Sequence, residues 1–252
     1  MRIAIAGGTG IAGAYAVDAA RARGHEVVVV SRATGVDLRS GAGLDAALEG
    51  AQVLVDATNP DPAARASADA FFTEVAERLQ RAGARQGVRR LVVLSIVGID
   101  RARAIPYYAA KLAHEQAAGA GPLPAVVLRA TQFHEYPGQV LARVRRGPLA
   151  PVPRTPVQTV AARTVGEVLA ELAVAPDPPG LSELAGPEPG ELVELVRLLA
   201  RARGERVLVV PTGARDPSRV ALRAGALLPS PGARLAGPTF AEWLAGPDRR
   251  AR

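Results

Sequence analysis

The sequence predicts an α/β fold in which a doubly wound parallel sheet is joined to a small C-terminal substrate lobe. Short apolar runs alternate with longer helical segments through the first half of the chain, as expected of strands that are buried on both faces. The first of these runs ends in a glycine-rich turn that opens a helix. The length suits a single domain, 1–252, in which residues 131–252 contribute most of the lobe.

The first predicted strand and helix are joined by glycines spaced three residues apart. An apolar run at 2–6 ends at the turn, and residues 14–23 have an apolar helical face. Such glycines allow a positive φ, let a phosphate approach the backbone and let the helix pack closely on its strand. The N–H groups and the dipole at the start of the helix suit a pyrophosphate. The pattern therefore predicts a Rossmann-type dinucleotide site. The expected contacts are Gly7, Thr9, Gly10, Ile11 and Gly13.

Composition argues against several other classes of protein. No uncharged apolar run approaches the roughly twenty residues of a bilayer span, and the first strand is too short for a signal peptide, so we expect a cytoplasmic protein without a membrane partner. The chain lacks cysteine and its three histidines are scattered, so we expect no disulfide and no metal site. The net charge of +7 comes from dispersed arginines, and aromatic residues are only 4%, which argues against nucleic acid. The expected partner is a small-molecule substrate, and the expected state is a monomer or a homodimer.

The residues after the second predicted strand, 26–30, indicate the choice of cofactor. A site for NAD would place Asp or Glu there to accept from the ribose 2′-hydroxyl. This chain has Ser31 and Arg32 instead. An arginine would bind a 2′-phosphate through charge-assisted hydrogen bonds. The sequence thus favours NADP (NADPH), with a solvated surface arginine as the alternative.

Further cofactor contacts are expected beyond the second and third strands. Asp37 and Leu38 lie either at a strand end that borders an adenine or in a turn before the next helix. The third strand, 52–56, is followed by Thr58 and Asn59. Ligands collect beyond the carboxyl ends of parallel strands, so these two residues are candidates for the ribose side of the cofactor.

Three polar residues in the next strand and helix are candidates for catalysis. The strand predicted over 88–94 ends at Ser95, and a helix opens at Pro106, where proline fits the first turn. Tyr107 and Lys111 are four residues apart and therefore share a helical face. Lys111 is the only lysine in the chain, which indicates a position that requires a compact ammonium rather than a guanidinium. An ordinary surface pair of tyrosine and lysine is the alternative.

Several of these features together resemble the short-chain dehydrogenases/reductases of the atypical, extended-like kind, close to the NmrA-like NAD(P)H-binding proteins. The features are the glycine turn, Arg32, Leu94-Ser95 and Tyr107-x-x-x-Lys111. The resemblance is close over the first part of the chain, to the segment that follows the fifth strand, and looser beyond it. It implies that Tyr107 donates a proton to a carbonyl, Lys111 holds the nicotinamide ribose and Ser95 orients the substrate oxygen. A neighbouring ammonium would also favour the phenolate of a tyrosine, whose ordinary pKa is about 10.

The resemblance also implies that the segment after the fifth predicted strand, 125–129, passes the nicotinamide and enters the substrate pocket. The expected nicotinamide contacts are Thr131, Gln132 and Phe133, and the expected substrate contacts in this segment are His134, Glu135 and Tyr136. Tyr108 cannot share the helical face of its neighbour Tyr107, so it either packs or lines the substrate pocket. His134 is either an extra acid or base, because histidine titrates near neutrality, or a residue that caps or packs.

Helical periodicity and proline positions predict the remaining elements. Prolines between residues 148 and 156 predict an extended connector, and the tail from Asp248 is expected to be frayed. The predicted helices are 43–48, 62–84, 164–172, 191–203 and 239–244, and the predicted strands are 157–160 and 206–210.

The motifs and the resemblance together predict an NADPH-dependent oxidoreductase that reduces a carbonyl or quinone-like small molecule by hydride transfer. One alternative is a non-catalytic NADP(H)-binding redox sensor or regulator, as some NmrA-like proteins are. Another is a nicotinamide-dependent epimerase or dehydratase that regenerates its bound cofactor. Fold alone does not decide among them, so the site must.

Overall fold

The computed structural model describes residues 1–60, 68–213 and 217–250. Its strands are β1 (Arg2–Ala6), β2 (Glu26–Val30), β3 (Val53–Asp56), β4 (Leu91–Ile96), β5 (Ala125–Ala130), β6 (Leu149–Pro153), β7 (Pro156–Val157), β8 (Leu181–Ala185), β9 (Gly190–Glu191), β10 (Leu208–Thr212) and β11 (Arg234–Leu235). Its helices are α1 (Ile11–Ala22), α2 (Leu44–Leu48), α3 (Ala68–Arg85), α4 (Pro106–Gly119), α5 (Tyr136–Val144), α6 (Ala162–Val174), α7 (Leu192–Ala202), α8 (Pro217–Arg223) and α9 (Phe240–Ala245). Short 3₁₀ turns lie at Arg32–Thr34, Ile99–Arg101 and Pro247–Arg250.

The central element is a seven-stranded parallel sheet with the order β11-β8-β5-β4-β3-β1-β2. The chain begins inside this sheet at β1, moves outward to β2 and returns to β3 on the other side of β1. The winding therefore reverses between β1 and β3, and doubly wound folds bind ligands at such a switch point. The predicted fold class, a Rossmann-type doubly wound parallel sheet, is confirmed.

The chain divides into two compact units, each with its own apolar core. The first contains residues 1–95, 106–129 and 163–182, and the second contains 96–105, 130–162 and 183–252. In the first unit, β3, β4 and α3 bury Leu54, Leu79 and Leu91 in one cluster. In the second, Val152 of β6 and Val196 of α7 are buried together. Within the described ranges, no helix has the length and the apolar composition needed to cross a membrane.

Two local predictions near the sheet are settled by the structure. The strand predicted over 88–94 is wrong at both ends, because β4 begins at Leu91 and continues through Ser95 to Ile96. The apolar pattern continues past Ser95, whose small side chain does not interrupt it. Asp37 and Leu38 lie in a turn, as one of the two interpretations held, since the Asp37 carbonyl accepts from the Gly41 N–H (2.7 Å).

The extended backbone predicted from the prolines is confirmed, but the segment is not merely a connector, because its residues form β6, which pairs in parallel with β10. Proline lacks an N–H and is tolerated on an edge strand. The pair β6-β10 is a two-stranded sheet, so within the described residues each strand has one edge that pairs with no further strand. The Arg154 N–H donates to Thr212, and the Pro148 carbonyl accepts from Leu208 of β10. Because the backbone groups of a strand alternate in direction, the N–H and C=O groups of the even-numbered residues face β10. Pro151 and Pro153 therefore lie on the outer edge of β6.

Other element boundaries also differ from the predictions. The predicted strand 157–160 is limited to β7, and α5 and α8 were not predicted. The predicted helix 62–84 corresponds to α3 from Ala68 onward, while residues 61–67 lie outside the described part of the chain. Of the tail that is expected to be frayed, residues 248–250 belong to a 3₁₀ turn, and residues 251 and 252 lie outside the described part of the chain. The strands β8 and β11 were not predicted either, and they lie next to β5 at one edge of the central sheet, whereas the five predicted strands β1 to β5 form the rest of it.

Candidate active site

The glycine turn after β1 is tight. Gly7 has a φ of 73°, and its N–H donates to the carbonyl of Val30 (3.1 Å). A Cβ on Gly13 would lie 2.1 Å from the Gly7 oxygen, so α1 approaches the turn only because residue 13 is glycine. Among the described residues, no side chain caps Gly10 at the start of α1, and the first N–H groups of a helix have no partner inside it. The turn therefore offers amide donors at the positive end of the helix dipole.

The turn lies at the switch point of the sheet. A Cβ on Gly7 would lie 2.7 Å from the carbonyl oxygen of Ala57, the residue after β3. The backbones that leave β1 and β3 thus approach each other closely. Thr9 and Gly10 are exposed and Ile11 is half-buried, so a ligand can reach the predicted pyrophosphate contacts.

The segment after β2 keeps Arg32 at the surface. The Ser31 N–H donates to Oγ1 of Thr34 (3.1 Å), and the two hydroxyls lie 3.3 Å apart, so the Ser31 side chain is engaged within the 3₁₀ turn. Arg32 is the first residue of that turn and is exposed. The cofactor contacts predicted for Ser31 and Arg32 stay predictions.

Asp37 and Leu38 belong to a loop that is fixed by its own contacts. Asp37 accepts from the Arg39 N–H and from the Ser40 hydroxyl (both 2.9 Å), and these hydrogen bonds lower the pKa of Asp37. Leu38 packs against the core of the first unit, and its carbonyl accepts from Arg78 of α3 (3.0 Å). The adenine contact predicted for this pair stays a prediction.

Lys111 is buried on α4, with 4% of its surface exposed. Its Nζ donates to the carbonyl of Leu94 on β4 (2.9 Å) and lies 4.3 Å from the centre of the Phe72 ring, within cation–π range. Ser95 follows Leu94 and is 2% exposed. Its Oγ has no hydrogen-bond partner within the described residues. Strand and helix thus bring a cation and an unpaired hydroxyl to the end of β4.

Lys111 also belongs to a buried polar chain that continues to β3. Its Nζ lies 3.2 Å from Nδ1 of His114, and Nε2 of His114 lies 2.8 Å from Oδ2 of Asp56. The other Asp56 oxygen accepts from the N–H (2.9 Å) and the hydroxyl (2.6 Å) of Thr58. His114 and Asp56 are both fully buried. Four side chains therefore form one network between the end of β3 and α4.

Burial shifts the titration of this network. It lowers the pKa of Lys111 to about 8, although the carboxylates of Asp56 and Glu115 oppose that change. Burial and the charge of Lys111 lower the pKa of His114, which favours a neutral imidazole. Burial alone would raise the pKa of Asp56, but the interactions with His114, Lys111 and Thr58 outweigh it, and the pKa falls. An ammonium and a carboxylate thus flank a neutral imidazole.

Tyr107 lies one turn before Lys111 on α4 and is half-buried. Its hydroxyl donates to Oδ1 of Asn59 (2.9 Å), just beyond β3. The rings of Phe72 and Tyr108 lie 6.2 and 5.7 Å from its own ring. The structure therefore joins the tyrosine predicted to be catalytic to a residue predicted to contact the cofactor.

The predicted contacts after β5 lie in the second unit. Thr131 is 2% exposed. Its Oγ1, both amide atoms of Gln132 and Oε2 of Glu135 are buried and have no hydrogen-bond partner in the described part of the chain. Burial raises the pKa of Glu135 to about 7, and Asp248 adds to this effect. Unpaired buried polar groups cost free energy, so this segment suits a polar ligand.

His134 is engaged on both ring nitrogens. The Pro238 carbonyl can only accept, so Nε2 donates to it (3.1 Å) and Nδ1 accepts from the Thr159 hydroxyl (2.8 Å). The rings of Phe240 and Trp243 lie 5.4 and 5.5 Å away. Burial lowers the pKa of His134 to about 4. This geometry favours the packing interpretation over a role as acid or base.

The remaining residues predicted to line the site have structural contacts. Phe133 forms an isolated parallel bridge with Val160. Tyr136 begins α5 and packs against the apolar core of the second unit. Their predicted contacts with cofactor and substrate stay predictions.

Sequence reasoning missed Asp56 and His114. Each had a positional signal: Asp56 is a carboxylate at the end of a buried strand, and His114 lies three residues after Lys111 on the same helical side. They are 58 residues apart in the sequence, so their hydrogen bond follows only from the fold.

A parallel, doubly wound sheet with a glycine turn at its switch point defines a Rossmann-type fold. No protein-family model matches the chain, and no curated protein matches its sequence. Solved structures do share its fold, and three of them illustrate this.

The NADPH-dependent quinone oxidoreductase of Escherichia coli, complexed with NADPH, is 16% identical with a TM-score of 0.71, over 96% of this chain and 98% of that chain. The triphenylmethane reductase of Citrobacter sp., complexed with NADP(H), is 16% identical with a TM-score of 0.67, over 95% and 98%. A short-chain dehydrogenase/reductase superfamily protein of Agrobacterium tumefaciens with bound NAD is 19% identical with a TM-score of 0.69, over 97% and 95%. The resemblance to short-chain dehydrogenases/reductases is thereby confirmed for the fold.

Proposed function

We propose that this protein is an NADPH-dependent oxidoreductase that reduces a carbonyl or quinone-like small molecule by hydride transfer. The observation that carries the proposal is the position of Lys111. It is the only lysine in the chain, it is buried one turn after Tyr107, and it is hydrogen-bonded to the strand that presents Ser95. An isolated surface pair of tyrosine and lysine would not be enclosed in this way.

The residues at the switch point fit a dinucleotide. Gly7 gives the turn a positive φ, and α1 can pack against the turn only because residue 13 is a glycine. Among the described residues, no side chain caps the first amides of α1. The buried and unpaired Oγ of Ser95 calls for a polar partner. When bound, NADPH supplies the hydride that adds to the carbonyl carbon.

The protein side chains would complete that reaction on the substrate oxygen. Tyr107 would deliver its hydroxyl proton to this oxygen, so that the carbonyl gains one hydride and one proton and becomes an alcohol. Ser95 would donate a hydrogen bond to the same oxygen as negative charge develops there. The Lys111 ammonium has three donors, of which two are directed at Leu94 and His114, and the third would be available to a ribose hydroxyl.

NADPH is preferred to NADH in this proposal because of the segment after β2. An exposed arginine stands where a site for NAD would carry a carboxylate. The structural neighbours described above include complexes with NADPH, NADP(H) and NAD, so the fold allows either cofactor. The substrate class draws support from the quinone oxidoreductase and the triphenylmethane reductase among them.

The proposal is tested with the purified protein and its Tyr107→Phe variant. NADPH and NADH are titrated by fluorescence, and NADPH consumption is then measured over a panel of ketones and quinones. Tyr107→Phe should lower the reduction rate at least about a hundredfold, the usual contribution of a general acid, and should leave NADPH affinity within a factor of about two. The comparison is Tyr108→Phe, which removes a neighbouring phenol that is predicted to contact the substrate; it should raise KM more than it lowers kcat, because no proton transfer is assigned to Tyr108. Equal rates for Tyr107→Phe and the unmodified protein would exclude the tyrosine mechanism.

A second candidate is a non-catalytic NADP(H)-binding redox sensor. It is favoured by the hydrogen bond that the Tyr107 hydroxyl donates to Asn59. The hydroxyl must break this hydrogen bond before it can donate its proton to a substrate. A sensor would bind NADPH tightly and consume none with any member of the panel. Its capture of a protein partner would depend on whether NADPH or NADP is bound.

A further inference from the structure

Asp56 and His114 have no role in the proton and hydride steps described above, yet both are fully buried beside Lys111. A buried carboxylate and a buried imidazole are costly unless their hydrogen bonds are satisfied. Here they are satisfied by each other, by Thr58 and by Lys111. The network therefore belongs to the surroundings of the lysine rather than to an unrelated part of the core.

The direction of each hydrogen bond follows from chemistry. An ammonium can only donate, so Nδ1 of His114 accepts from Lys111 and Nε2 carries the ring proton. Nε2 then donates to Oδ2 of Asp56. The Phe72 ring lies 5.0 Å from the His114 ring and fixes it from one side. The imidazole thus connects the positive charge of Lys111 to the negative charge of Asp56 without carrying a charge of its own.

The other titratable group that acts on Lys111 is Glu115, on the same helix. Two hydrogen bonds from Arg129 of β5, at 2.9 and 2.7 Å, bind the carboxylate of Glu115. Its charge is therefore largely compensated by the guanidinium. The uncompensated anion nearest to the ammonium along the hydrogen-bonded chain is Asp56.

We propose that Asp56 and His114 are positioning residues that hold Lys111 as an oriented ammonium, with Asp56 supplying the counter-charge and His114 connecting it to Nζ. Their consequence for catalysis rests on the function proposed above. Their effect on the lysine does not, because it can be measured without substrate or cofactor.

The test uses the fact that Lys111 is the only lysine. Protein grown with ¹³Cε-labelled lysine gives one side-chain signal, whose chemical shift follows the protonation of Nζ. The midpoint should lie near pH 8 in the unmodified protein and should fall by about one pH unit or more in Asp56→Asn. Asp45→Asn is the matched control, because it neutralises an exposed carboxylate that pairs with Arg85, and its midpoint should not move. Equal midpoints in Asp56→Asn and the unmodified protein would overturn the proposal.

Substitutions at His114 separate the connection to Asp56 from a local hydrogen bond. The amide oxygen of His114→Asn can take the place of Nδ1, but its side chain is too short to reach Asp56. The proposal expects the lysine midpoint of His114→Asn to lie between those of the unmodified protein and Asp56→Asn, because the Asp56 carboxylate keeps its through-space attraction while the hydrogen-bonded connection to Nζ is lost. A midpoint unchanged from that of the unmodified protein would contradict it.

A measurement on the unmodified protein covers the case in which these variants do not fold. ¹⁵N spectra of labelled histidine report the tautomer of His114, which should be neutral with the proton on Nε2. A proton on Nδ1 would overturn the proposal.

If the protein proves to be a reductase, the basic limb of its kcat/KM profile should move to lower pH in Asp56→Asn. A merely structural role would lower kcat/KM equally at all pH values, and that result would contradict the positioning role. If no reductase activity is found, the ¹³C titration still decides the proposal.

Discussion

The close approach of α1 to the glycine turn can be tested with Gly13→Ala. The new Cβ would lie 2.1 Å from the Gly7 oxygen and 2.8 Å from its carbonyl carbon. A carbon and an oxygen in contact need about 3.3 Å, so helix and turn must separate by about 1 Å. Strain of this kind in a packed site costs about 1–3 kcal/mol. Alanine in place of glycine in a helix returns up to about 1 kcal/mol.

The net loss of stability for Gly13→Ala is then about 1 kcal/mol, which lowers the Tm by about 2–4 °C in a chain of this size. The larger effect should be on the cofactor, because the amides that face the pyrophosphate move with the helix. We expect the Kd for NADPH, measured by fluorescence titration, to rise at least about tenfold, equivalent to about 1.4 kcal/mol.

Gly119→Ala is the matched control for this substitution. It adds a Cβ at the end of α4 with no heavy atom within 4 Å, and both Tm and Kd should be retained. If Gly13→Ala bound NADPH as tightly as this control and melted at the same temperature, the proposed pyrophosphate site at the glycine turn and the start of α1 would be refuted.

Three further substitutions test other parts of the structure. Arg32→Glu should weaken NADPH binding at least about tenfold, because it removes one charged hydrogen bond of about 1.5–3 kcal/mol, and should leave NADH binding equal or tighter, because a carboxylate there can accept from the ribose 2′-hydroxyl; equal losses for both cofactors would argue against the 2′-phosphate contact. Gln80→Leu should destabilise the fold by about 1–3 kcal/mol in urea unfolding, since the Gln80 amide bonds the Leu123 N–H (2.7 Å) and the carbonyl of Ala118. Burial raises the pKa of Glu135 from 4.5 to about 7, so the folded state binds this proton more tightly and stability should fall as pH rises between these values. Glu135→Gln should flatten that fall in urea titrations, and an identical pH profile would show that the carboxyl is not buried.

Five of the seven strands of the central sheet, β1 to β5, could be predicted because the sequence signals for them are local. The run of four valines in β2 and the glycines after β1 determine strand and turn without reference to the rest of the chain. The same holds for α7, where Val193 and Val196 repeat on one buried face. Such patterns need only the covalent spacing of neighbouring residues.

The prediction failed where the structure depends on distant partners. The prolines of β6 argue against a strand in isolation, and only β10, more than fifty residues later, makes them an edge. In the site, the spacing of Tyr107 and Lys111 identified the helix face, but the hydrogen bonds from Tyr107 to Asn59 and from His114 to Asp56 span 48 and 58 residues. Tertiary packing creates such pairs, and sequence spacing does not contain them.

The placement of Pro151 and Pro153 on the outer edge of β6 has a consequence for association between molecules. An exposed strand with unused N–H groups can recruit a strand from another chain and start ordered aggregation. Along β6, two of the positions that face away from β10 have no hydrogen to donate. The two proline rings therefore interrupt the hydrogen-bond ladder that an incoming strand would need along this edge of β6, next to the exposed side chain of Leu149.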